Sequence, residues 1–185
     1  MGDLASFEYG HTATAANKGS FRYIRITDID DYGEISNENK KYVNLDNKEY
    51  EKYRLKEQDI IVARIGSVGE TAIFLNNEKS IFASYLIRIN INKEEILPKY
   101  YWYFTKTDDY WKQVEQLTKG TVQPQFNANS LKEIQIPIPS LTEQTKIIEK
   151  YEKKRQIIIQ QKSLLNYFKK EAEEVLEKIW SKNKL

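Results

Sequence analysis

From Ser140 to the end of this 185-residue chain there is neither glycine nor proline, and the stretch opens on Ser140 and Glu143 directly after Pro139. A serine followed three residues later by glutamate is a capping box, because each side chain satisfies the other residue's free backbone N–H at a helix start. The spacing therefore predicts a helix over 140–185. Steps of four and three from Ile147 run through Tyr151, Lys154, Ile158, Gln161, Leu165, Phe168, Ala172, Val175 and Ile179, and eight of these ten positions are apolar. That is a coiled-coil seam, and at 1.5 Å per residue about forty residues make a rod roughly 60 Å long. A lone helix cannot bury such a seam against itself, so the pattern demands a partner helix.

Upstream the pattern is that of a globular domain. "FRYIRIT" (21–27), "DIIVARI" (59–65), "TAIFL" (71–75) and "SIFASYLIRINI" (80–91) read as strands, rich in β-branched and aromatic residues and bounded by polar turns. The polar stretch 28–54 reads as an excursion with a short helix at most. From Pro98 the period becomes helical, with Tyr100, Phe104 and Trp111 on one face, a second segment capped by Asp108 and an end at Gly120. The expected fold is α+β: a mixed, mainly antiparallel sheet domain over 1–139, then the long helix over 140–185.

Composition closes several routes to chemistry. With no cysteine and His11 as the single histidine, disulfides, thiolate metal sites and His clusters are excluded. Asp28, Asp30 and Asp31 have Gly33 at the sixth place of a calcium loop but Asn39 at the twelfth, so they read as a solvated acidic turn. No Gly-rich cofactor turn is paired with an Asn-Pro-Pro-aromatic tetrapeptide, and a nucleophile–base triad has only His11 to draw on. The chain is expected to be no enzyme and to carry no cofactor or metal. It lacks a basic leader followed by an apolar run and any run of eighteen apolar residues, so a cytoplasmic protein away from membranes is expected.

Net charge is only +2, unevenly spread: residues 1–140 carry 18 Lys+Arg against 20 Asp+Glu, and 141–185 carry 11 against 7. DNA binding would need local clusters, since phosphate contacts supply much of the affinity. The aromatic block "YYWYF" (100–104) reads as helix-packing core. In "RIGSVGE" the glycines 66 and 69 suit a tight turn, and leave Arg64 and Ser67 where a groove-facing turn would use them. The amide-rich loop "TVQPQFNAN" offers side chains that donate and accept together, as reading adenine requires, beside Lys119 and Thr121.

The order of "GDLASFEYGHT", "YIRITDID", "QDIIVARIGSVGETAIF", "FASYLIRI" and "KGTVQPQFNANSLKEIQIPIPSLTEQTKII" before the long helix resembles the specificity subunit of type I restriction–modification systems. The resemblance covers about 160 residues, and its most specific part is the last segment, with its G-T-x-Q loop, I-P-x-P run and E-Q-x-x-I helix start. It implies a target-recognition domain that reads one half of a split double-stranded DNA sequence. The helix would pair antiparallel and set the spacing. Methyltransferase subunits carrying S-adenosylmethionine, and a restriction subunit, would be the partners. The family's full subunit resembles two such units in tandem and this chain has one, which leaves a half-subunit that dimerises or a fragment of a longer chain; the expectation is a two-fold homodimer through Ile147, Tyr151, Ile158, Leu165, Phe168, Ala172, Val175 and Ile179. Lys18, Arg22, Arg64, Ser67, Lys119, Gln123 and Gln125 are the expected DNA-facing residues. Because the amide loop is shared among proteins with different targets, base readers are better sought in Ala13–Arg22. The competing reading is a coiled-coil interaction protein without a DNA role.

Overall fold

The computed structural model describes residues 1–120 and 125–182. It holds two units, Met1–Thr145 and Lys146–Leu185. In the first, β1 (Ala5–Tyr9), β7 (Leu86–Ile91), β4 (Ile60–Ala63) and β5 (Thr71–Ile73) form an antiparallel sheet in that spatial order. A smaller sheet has β2 (Phe21–Ile24) between β3 (Tyr42–Val43), antiparallel, and β6 (Ser80–Phe82), parallel. The α+β class with antiparallel pairing dominant is as expected, and among the described strands the parallel pairing, β2 with β6, is in the smaller sheet.

Alternation along the strands explains how the layers stack. In β4, Ile61 and Ala63 join Ile24, Leu55, Ala72, Phe74, Phe82 and Leu86 in a core between the sheets. Ile60 and Val62 must then point to the opposite face, and they too are fully buried. That face is covered by helices: α2 (Pro98–Phe104) lies on β5 and α4 (Ala128–Glu133) on β1, with a buried hydroxyl pair, Thr71 Oγ1 and Thr105 Oγ1, 2.6 Å apart. A sheet buried on both faces reads as continuous apolar runs, which is why "IIVA" and "TAI" lack polar alternation. On the outer side of the small sheet, α1 (Asn47–Tyr53), capped by Asp46, sets Tyr50 flat on Phe21 with ring centroids 4.1 Å apart. The excursion thus does contain one short helix.

Differences from the sequence reading have local causes. The run 80–91 is two strands, because at Ala83–Tyr85 the chain leaves the small sheet and enters the large one; Ala83 N still bonds Ile24 O, whereas Arg64 N already bonds Tyr85 O. β1 was not anticipated, although Ala5, Phe7 and Tyr9 alternate with Ser6 and Glu8. α3 (Asp108–Thr118) is capped by Thr107, whose hydroxyl accepts from Tyr110 N, so Asp108 is its first residue and not its cap. Tyr100, Tyr101, Trp102 and Tyr110 are buried, as the core reading of the aromatic block requires, whereas Phe104 is half-buried and Trp111, expected on the same face, is 39% exposed.

The chain's last helix, α5 (Leu141–Lys182), begins as the capping box predicts: Ser140 N and Oγ donate to Glu143 Oε2, and Glu143 N donates back to Ser140 Oγ at 3.3 Å. Its first turn belongs to the globular unit. Gln144 is fully buried, accepts from Leu97 N at 2.9 Å and donates to Glu95 O and Pro139 O. In the second unit Ile147 is half-buried, and Tyr151, Ile158, Leu165, Phe168, Ala172, Val175 and Ile179 are exposed. Among the described residues no helix is long and apolar enough to cross a membrane.

Candidate nucleic-acid interface

One end of the four-stranded sheet collects polar and aromatic groups. The C-terminal ends of β1 and β4 flank the start of β7, through Gly10 N to Leu86 O and Arg64 N to Tyr85 O. Tyr9 and Tyr85 are therefore neighbours of Arg64, and both are large aromatics left 42% and 56% exposed. The guanidinium of Arg64 lies over the Tyr9 ring, 4.9 Å from its centroid. The chain entering α4 closes onto the same place: Phe126 N donates to Arg64 O at 2.9 Å and Ala128 N to Tyr9 Oη at 3.3 Å. Asn127 caps α4, its Oδ1 accepting from the amides of Asn129 and Ser130. Part of the amide-rich loop thus satisfies its own backbone, while Gln125, next in sequence to Phe126, stays exposed.

The turn from β4 to β5 completes this end. Gly66 and Gly69 adopt φ of +71° and +87°, the left-handed region that glycine enters freely. Gly69 must also be glycine for space, because a Cβ there would sit 2.7 Å from Val114 Cγ1. Tyr110 Oη donates to Gly69 O at 2.8 Å and locks the turn to α3. Gly66 and Ser67 remain exposed.

Arg64 and Ser67 thus share the end of β4 and its turn, and Gln125 precedes Phe126, whose amide bonds Arg64 O. Lys18 is exposed in different company, on the segment where Ala16 pairs with Tyr42 along the edge of β3. There Lys41 donates to Asn17 Oδ1, and Ser20 N and Oγ both donate to Asn44 Oδ1. Lys119 is exposed at the C-terminus of α3. Gln123 and Thr121 lie outside the described residues.

Arg22 corrects the expectation. Its residue is 1% exposed, and its Nη1 donates to Glu78 Oε2 at 2.9 Å and to Asn37 Oδ1 at 3.0 Å, while Nη2 donates to Ser36 O. Such a side chain cannot reach a groove; it ties the β5–β6 turn to the excursion. Burial pushes the Glu78 carboxyl up, but hydrogen bonds from Lys40 and Arg22 outweigh it and hold it below the ordinary value. What sequence reasoning missed is Tyr9 and Tyr85, whose exposure depends on β1 ending against β7, a pairing with no local signal.

The acidic turn is solvated only in part, because Asp28 is buried and Asp30 half-buried, which leaves Asp31 as the exposed one of the three. Asp28 is paired with Arg25 at 2.8 Å, and Asp30 Oδ1 accepts from the amides of Tyr32 and Glu34. Among the described residues no group of three or more His, Asp or Glu is placed to hold a metal ion.

The described chain is an α+β domain of two facing sheets followed by a capped 42-residue helix, and its class is that of the type I DNA specificity domains. The chain belongs to that family: the type I restriction modification DNA specificity domain matches residues 1–169. Over 144 residues it is 26% identical to the StySPI specificity subunit of Salmonella potsdam, covering 74% of this chain and 30% of that protein. A putative specificity subunit of Haemophilus influenzae is 36% identical over 94 residues, 50% of this chain and 23% of that one. The chain thus spans less than a third of the curated relatives it matches. Among solved structures, the HsdS subunit of Thermoanaerobacter tengcongensis has the same fold at a TM-score of 0.62 and 19% identity, over 88% of this chain and 42% of that chain. The S subunit from M. genitalium aligns at 0.56 and 19%, over 80% and 36%.

Proposed function

We propose that this chain is one reading unit of a type I specificity subunit. It has no catalysis of its own, and directs methyltransferase and restriction subunits to a bipartite DNA target. The family match carries the proposal, since it runs through the sheet domain and into the long helix. The exposed seam of α5 supports an antiparallel pairing of two copies, which would present two identical readers to an inverted-repeat target. The band is wider than a two-stranded seam requires, because Ile157, Leu164, Leu176 and Trp180 add exposed apolar surface beside it. That extra width suits a methyltransferase subunit docking around the same helices. Arg64, Ser67, Gln125 and, on the small-sheet edge, Lys18 are the DNA-facing residues of this proposal, with Lys119 and Gln123.

The test is methyl transfer from S-adenosylmethionine to DNA. The chain alone should transfer none, and the chain with its methyltransferase subunit should methylate a defined split sequence. Transfer by the isolated chain, or unchanged target choice by the methyltransferase when the chain is omitted, would overturn the proposal.

A further inference from the structure

Six arginines occur in this sequence, and five of them have a carboxylate partner: Arg22 with Glu78, Arg25 with Asp28, Arg54 with Glu51, Arg88 with Glu8 and Asp59, and Arg155 with Glu152. Arg64 is the exception. Among the described residues nothing accepts a hydrogen bond from its side chain, and its Nε is shielded from solvent with no partner. A guanidinium is charged at any physiological pH, and a donor so shielded without an acceptor is costly. Yet Arg64 is among the most firmly held groups at this end of the sheet. Its N and O are bonded to Tyr85 and Phe126, and its guanidinium rests on a Tyr9 ring whose own hydroxyl is anchored by Ala128 N.

The neighbouring turn adds further donors. The amides of Gly66 and Ser67 meet no acceptor among the described residues, both residues are exposed, and a Cβ at Gly66 would find nothing within 4 Å. The approach to these amides is therefore open. A fixed guanidinium and, two and three residues on along the chain, open amides with no acceptor are donors lacking an anion. Amide N–H groups carry no base code, whereas phosphate oxygens accept from guanidinium and amide alike.

We propose that Arg64, laid flat on Tyr9, and the Gly66–Ser67 turn clamp one backbone phosphate of the bound duplex, fixing the position of the domain on DNA without reading a base. Tyr9 acts as a positioning residue that holds the guanidinium ready. This rests on the DNA-reading function proposed above and assigns a role within it.

The experiment measures affinity of the full chain for a pool of random-sequence duplexes and for its best-bound sequence, across salt from about 50 to 200 mM. Arg64→Ala should weaken both by the same factor, roughly tenfold for the loss of a charge-assisted contact. It should also flatten the slope of log affinity against log salt by about 0.9, the signature of one phosphate released. Arg64→Lys should keep the slope and lose part of the affinity, and Tyr9→Leu should weaken both duplex classes alike. A changed order of preferred sequences in Arg64→Ala makes Arg64 a base reader and overturns the clamp. Unchanged affinity and slope in all three variants also overturns it, leaving the DNA-reading function intact. A wild-type chain that binds no duplex overturns both. Should Arg64→Ala not fold, Arg64→Lys and Tyr9→Leu decide by the same readouts.

Discussion

Arg22, within β2, and Arg64, just past the end of β4, sit in similar words, "FRYI" and "VARI", and end in opposite circumstances. Arg22 is enclosed and paired with Glu78, which lies 56 residues away in sequence. Glu78 would keep Lys40, but Asn37 and the Ser36 carbonyl would lose their donor to an enclosed side chain, so Arg22→Ala should lower stability by about 2 kcal/mol in a denaturant titration, with no change in sequence preference of the folded fraction. The two turn glycines separate conformational strain from space. Gly66→Ala should cost about 1 kcal/mol, because only the positive φ is penalised. Gly69→Ala should cost clearly more by the same titration, since its methyl group would also press on Val114 and Trp111. Lys106 gives a pH signature. Its stem is exposed, but its ammonium is tucked against Thr71 O at 2.9 Å beneath Trp102, and burial lowers its pKa from 10.5 to about 8 against the opposing pull of Glu70 and Asp30. Between those values the unfolded chain binds more protons than the folded one, so stability should rise from pH 8 towards 10 and lose that rise in Lys106→Met. Above pH 10 the trend should reverse, because burial raises the pKa of Tyr101 and Tyr110 and the unfolded chain ionises first.

Among the elements, α5 was the most legible from sequence. Its start follows from Ser140 and Glu143, and its continuity from the absence of Gly and Pro, both local properties. The strands were legible as β-rich runs, but their limits were not. "SIFASYLIRINI" has no breaker, and the chain still changes sheets at Ala83–Tyr85, because the pairing partners, His11 and Ile24 on one side and Arg64 on the other, come from distant segments. For the helix the consequence is association. Each large apolar side chain buried contributes about 1.5–3 kcal/mol, and Tyr151, Ile158, Leu165, Phe168, Val175 and Ile179 all stand exposed in a single chain. Sedimentation equilibrium at tens of micromolar should show a dimer. The double variant Leu165→Asp/Phe168→Asp should sediment as a monomer while the sheet domain melts unchanged; a monomeric wild type would refute the homodimer.

At the scale of the whole molecule, the globular unit reaches past Pro139 to Thr145 because it claims the first turn of the rod. Gln144 supplies the reason, holding Leu97, Glu95 and Pro139 through three hydrogen bonds from a fully buried amide. A chain ending after residue 145 should fold cooperatively, and one ending after 139 should lose about 1–2 kcal/mol, since it lacks the buried Gln144 that pairs these partly buried backbone groups. Thermal melts of the two truncations would check this.

By itself the sequence determined what depends on neighbours within a few residues. The capped helix, its apolar period, the β-rich runs, the tight turn at glycines 66 and 69 and the missing chemistry of thiols and paired histidines are all of this kind. The tertiary structure decided which polar groups are free. Arg22 lies within β2 and Arg64 just past the end of β4, both with the same charge, and nothing within either segment says that one will meet a carboxylate and the other will not. That outcome belongs to Glu78 reaching Arg22, and to Tyr9 being delivered beneath Arg64 by the pairing of β1 with β7. A guanidinium is satisfied by whatever is near it in space, and only the completed fold sets that.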